Sequence, residues 1–156
     1  MKSFLFSALI LFSGPTFAAV NVGTFVKHSV TLTEGTFKQV HTEESLVSSY
    51  NSTTDNFTVT ETTLWQNYSP SVKTYEVSQA DTVKLSQKFK GCNAMGGVQE
   101  TVEVPAGKFA ACAVRYNFSS EEGTVWFADA GFGVVKVETH FKGLKANRTR
   151  ELVEAR

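Results

Sequence analysis

Three histidines, two cysteines and two pairs of adjacent carboxylates are the residues of this chain best suited to chemistry. His28, His41 and His140 could ligate a metal or move a proton. They stand far apart, and no HExxH or CxxC brings two ligands onto one helix face or loop. Cys92 and Met95 offer two soft sulfur donors, a pairing that suits Cu(I). A third donor is missing nearby, and a disulfide would consume the thiol, so neither a metal nor a cofactor is expected. Glu43-Glu44 and Glu121-Glu122 cannot form a proton-sharing dyad, because neighbours in a strand point to opposite sides. Both pairs are expected to be solvated. A serine hydrolase needs a GxSxG elbow followed by a helix, and none occurs. Gly91, Gly96 and Gly97 lack the spacing of a phosphate loop. The chain carries no catalytic signature and is not expected to be an enzyme.

The two cysteines have a different use. Met1-Lys2, an apolar run over Phe4 to Phe12, the Gly14-Pro15 break and Thr16-Phe17-Ala18 read as a secretory signal peptide, residues 1–18, cleaved after Ala18. The apolar run is well short of the roughly 20 residues that a bilayer crossing needs. No later stretch could span a membrane either. The first cysteine is Cys92, so none lies at the start of the mature chain to carry a lipid. A periplasmic or secreted product is expected. In that oxidising setting Cys92 and Cys112 are expected to form a disulfide.

Charge narrows the partners. Removal of residues 1–18 takes away only Lys2, so the 15 basic residues become 14 against 15 acidic ones. That balance excludes a nucleic-acid binder of the usual basic type. The C-terminal segment is locally basic (Lys136, Lys142, Lys145, Arg148, Arg150), a pattern read as outward side chains on a hairpin.

These residues must be positioned by strands. The chain is rich in Thr, Val, Ser and Phe, the composition of sheets. Alternation predicts strands over Val22 to Leu32, Phe37 to Val47, Phe57 to Gln66, Val72 to Val77 and Val83 to Phe89. Four more follow, over Val98 to Val104, Phe109 to Phe118, Thr124 to Asp129 and Val134 to Phe141, with a last near Asn147 to Val153. Pro105-Ala106-Gly107 marks a tight hairpin. Gly131 and Gly133 mark another. No linker or repeat divides residues 19–156, which read as a single β-rich domain. The fold class is all-β: an antiparallel meander forming a single curved open sheet or half-barrel, with a β-sandwich as the alternative.

"ETVEVPAGKFAACAVRY", "TVWFADAGFGVVKVET" and "RELVEAR" resemble a domain of uncharacterised bacterial envelope proteins. The resemblance covers roughly residues 98 to 153. Lys108 stands where those proteins carry threonine, and Asp129 where they carry proline. The resemblance implies a half-barrel similar to lipoprotein-carrier domains, whose concave apolar face can hold a lipid. It transfers no catalytic residue.

Aromatic residues are many for a small domain. An open sheet without a long helix has little to cover its concave face, so its aromatics must meet a ligand, a partner or a bent-over segment. Trp65, Phe89, Trp126 and Phe127 are the candidate ligand-binding residues. The function expected is an exported envelope protein that binds a lipid or other apolar molecule on its concave face. The alternative is a structural or protein-interaction module that binds another envelope protein and no ligand.

Overall fold

β-branched and aromatic residues in period-two alternation build almost all of this chain into strands. The computed structural model describes residues 20–130 and 132–156. The leader assigned to residues 1–18 therefore lies outside the described residues, as does Gly131. The strands are β1 (Phe25–Glu34), β2 (Phe37–Asn51), β3 (Asn56–Trp65), β4 (Ser71–Ser78), β5 (Val98–Val104), β6 (Gly107–Asn117), β7 (Glu121–Ala128), β8 (Val134–Phe141) and β9 (Ala146–Ala155). All pair antiparallel in one open sheet of order β4-β3-β2-β1-β9-β8-β7-β6-β5. The all-β single sheet is as expected, and the sandwich alternative falls away. Two meanders run outward from the centre, joined there by the pairing of β1 with β9.

One strand expected from alternation is a helix. Val83 to Phe89 lies within α1 (Gln79–Lys90). Ser78 caps it: its hydroxyl accepts from the Asp81 amide at 3.1 Å and donates to the Asp81 carboxylate at 2.8 Å. Asp81 in the first turn and Lys88 and Lys90 in the last complement the helix dipole. Thr82 is buried, and Phe89, seven residues on, packs against the sheet. That is a helical spacing, whereas Val83, expected on the packed face, is exposed. α1 carries the chain from edge strand β4 toward the opposite edge strand β5, and packs on β6 and β7.

The sheet is strongly curved. Val102 and Val104 of β5 share one buried cluster with Leu152 of β9 and Val26 of β1. Four strand spacings, about 19 Å if flat, separate β5 from β9. Curling brings them together, so that the Ala106 amide donates to the Leu152 carbonyl at 3.0 Å.

The apolar interior comes from three clusters. Val47, Phe57 and Val59 form one on β2 and β3. The Cys92–Cys112 disulfide, with Cα atoms 5.5 Å apart, forms another with Phe127, flanked by Phe89 of α1. Phe132, in the β7–β8 connection, packs against both the β5–β9 cluster and the β2–β3 cluster. The connection reverses tightly: the Gly133 amide donates to the Ala130 carbonyl at 2.8 Å, with Gly133 at φ 84°. Only glycine enters that region without strain.

The disulfide closes a separation of 20 residues. Replacing both cysteines by alanine is expected to lower stability by about 3 kcal/mol. Urea unfolding with and without reductant measures this, and the reduced wild type should match the double variant.

Candidate functional site

Along β9, β2 and β4 the concave face changes from apolar to charged. On β9, Leu152 is followed backwards by Arg150 and Arg148; on β2, Val47 by Ser45, Glu43 and His41. On β4, Val77 gives way to Tyr75 and Lys73. Antiparallel register keeps these positions level, with Val30 of β1 paired to Arg150 on one side and His41 on the other. Phe132 fills the apolar end, while α1 covers the disulfide on the other side of β6 and β7, since Cys112 and Phe127 alternate with Ala111 and Ala128. The charged end is open.

There the sheet forms a cleft of about 440 Å³. Lys73 and Tyr75 of β4 line one wall, and Val137 and Thr139 of β8 the other, with Glu43, Glu61, Arg148 and Arg150 between. Five strand spacings separate β4 from β8, about 24 Å in a flat sheet. Only curvature lets both border one cleft. Glu43 is the hub: its two carboxylate oxygens accept from Arg150 Nε at 2.8 Å and Arg148 Nη2 at 3.1 Å. His41 Nε2 is 3.4 Å from Glu43, and its ring stacks on Trp65 with centroids 3.9 Å apart. Lys73 meets Glu61 at 2.7 Å. Burial pushes the Glu43 carboxyl up, but Arg150, Arg148 and His41 outweigh it and hold it below its ordinary value.

Two neighbouring features shape this end. Tyr116 OH and Thr139 Oγ1 are 2.6 Å apart, spanning across Gly123 of β7. A Cβ on Gly123 would overlap the Glu138 carbonyl and stand 2.8 Å from the Tyr116 hydroxyl, so no side chain fits there. His28, 3 % exposed, marks the border with the apolar end. Its Nε2–H donates to the Val134 carbonyl at 3.2 Å, while the buried Nδ1 has no partner among the described residues. Burial, reinforced by Arg150, lowers its pKa from 6.5 to about 4. His28 is therefore neutral at neutral pH.

The four candidate ligand residues do not converge. Phe89 and Phe127 meet at the disulfide, with the Lys88 ammonium 5.0 Å from the Phe127 ring centroid. Phe89 also lines a hollow of about 240 Å³ beside Gln99 and Thr101. Trp65 lies on β3, stacked on His41 and joined through it to Glu43. Trp126 packs against the β5–β9 cluster instead, where its indole N–H donates to Glu100 at 2.6 Å and Lys136 sits over its ring.

Glu43, Arg148 and Arg150 were missed as site residues. Glu43 and Glu44 do point to opposite sides, but only Glu44 meets the outer face, where it pairs with Lys27 at 2.9 Å. Glu43 is recessed, not solvated. Arg148 and Arg150 face the cleft rather than outward. Alternation in "ANRTRELVEA" carried that signal, since both arginines share the parity of Leu152.

No protein-family model matches this chain, and no curated protein matches it. Solved structures do. A protein of Bacteroides fragilis described as exported, with a YmcC-like fold, is 11% identical, with a TM-score of 0.52 over 87% of this chain and 96% of the other. A protein of Parabacteroides distasonis described as a lipoprotein is 12% identical, with a TM-score of 0.49 over 87% and 96%. MucB in complex with MucA(peri) is 8% identical, with a TM-score of 0.48 over 85% of this chain and 49% of that chain. The first of these likenesses is one of fold.

Two predictions follow from the buried groups. His28 binds a proton more readily unfolded, so stability falls as pH drops from 6.5 toward 4. Between pH 7 and 5 the loss is expected to be about 2 kcal/mol. Glu43, with its lowered pKa, adds its own loss only below its ordinary 4.5. In His28→Gln the decline between pH 7 and 5 should largely vanish from urea titrations. Gly123→Ala is expected to cost about 1–3 kcal/mol through overpacking, seen as a lower urea midpoint.

Proposed function

We propose that this chain is an exported, non-catalytic domain of the bacterial cell envelope that binds a ligand on the concave face of its sheet. The charged cleft between β4 and β8 carries this reading: it is a recess built by side chains of distant strands and not filled by any of the described residues. Its volume falls within the range of small-ligand sites. Its titratable groups are tied into ion pairs rather than poised for proton transfer, which supports binding over catalysis. The disulfide and the leader-like residues 1–18 support an oxidising compartment, periplasmic or extracellular. Among the described residues no helix is long and apolar enough to cross a membrane.

A wholly apolar ligand has less support than the concave face first suggested. Phe89, Phe127 and Phe132 pack against the chain's own clusters. A lipid would have to present a polar headgroup to the cleft. A protein partner is the second reading, favoured by edge strand β4, exposed along Ser71 to Glu76 with Val72 outward.

Native mass spectrometry of the protein purified from its own compartment tests the first reading. A small molecule should co-purify, and Arg150→Ala should release it. Recovery of the bare chain alone would count against ligand binding.

A further inference from the structure

We infer that the cleft is a site for an oxyanion, a carboxylate or phosphate group, held by Arg150 between the walls and by Lys73 on the β4 wall. This rests on the binding reading above and names the chemistry of the ligand's recognised part. Three cations, Lys73, Arg148 and Arg150, face two anions, Glu43 and Glu61, among the lining residues. One positive charge is left uncompensated in a recess.

The carboxylates also lie deeper than the cations. The Glu43 and Glu61 side chains are 14% and 16% exposed, against 23% for Arg150, 42% for Arg148 and 66% for Lys73. An entering molecule meets the cations first. Arg150 engages Glu43 through Nε, and its two Nη groups have no hydrogen bond among the described residues. A guanidinium presents five N–H donors in a planar fork, suited to bidentate capture of carboxylate or phosphate. Lys73 spends one contact on Glu61 and keeps donors to spare. Glu43 acts as the internal counter-ion: it holds two like-charged arginines side by side and fixes their side chains before a ligand arrives. The cleft is larger than one such anion needs, so the oxyanion is one group of a bigger molecule.

The test titrates the mature chain with inorganic phosphate and with citrate by calorimetry. In parallel, flotation is scored with vesicles of phosphatidylglycerol and of phosphatidylcholine. At least one anionic probe should bind at millimolar concentration or tighter. Arg150→Gln should weaken it at least about tenfold, the loss of a charge-assisted hydrogen bond. Lys73→Gln should also weaken it, and because Lys73 is exposed on an edge strand this variant keeps the fold where Arg150→Gln fails to. Binding of soluble anions without flotation marks a free ligand; flotation on phosphatidylglycerol alone, lost in the same variants, marks a lipid headgroup. Binding of no anionic probe, or binding unchanged in both variants, would overturn the inference. A co-purified molecule without an anionic group, released by Arg150→Ala, would also overturn it while leaving the binding reading intact.

Discussion

Phe25 and Arg156 exchange two backbone hydrogen bonds, of 2.8 and 3.0 Å, and so zip the first strand of the sheet to its last. Without that pairing the chain would be two separate meanders, β1 to β4 and β5 to β9. The contacts of Glu43 and His28 cross this seam. Glu43 on β2 reaches Arg148 and Arg150 on β9 only because β1 alone lies between them. His28 on β1 reaches the Val134 carbonyl on β8 over β9.

The seam also explains how charge is tolerated on a face that starts as core. A lone carboxylate as recessed as Glu43 would be costly, and two neighbouring arginines would repel. Together they are mutually compensated. Removing Glu43 would leave the arginines unpaired, and removing the arginines would leave Glu43 unpaired. This network is better regarded as a rigid polar floor than as a source of stability, since an ion pair withdrawn from water gains little net energy. His28 sits at the edge of this floor and stays neutral because both burial and Arg150 disfavour its charge.

The apolar end answers the question posed by an open sheet rich in aromatics. A bent-over segment covers it: the β7–β8 connection inserts Phe132 between two clusters, while α1 brings Phe89 to the disulfide on the other side of β6 and β7. The glycine turn around Phe132 is therefore a packing device. The chain fills one half of its own concavity and leaves the other half polar and open.

Much of the fold was legible from alternation, since a one-face-buried strand writes its burial into every second residue. Nine strands, the Pro105-Ala106 hairpin and the Cys92–Cys112 bridge follow from local pattern and chemistry. The α1 segment did not, because Val83, Leu85 and Phe89 fit a strand as well as a helix, and the Ser78–Asp81 cap decided between them. The cleft was half-legible: the parity of Arg148 and Arg150 with Leu152 put them on the buried side. That Glu43 would meet them more than a hundred residues away was not, because partners across a sheet depend on strand order. Amino-acid sequence alone determined the strands, their two faces and the crosslink, all set by neighbours along the chain. Tertiary structure decided which face became concave, which aromatics were consumed by packing and which charges were brought together, because curvature and the β1–β9 seam join residues that no local spacing connects.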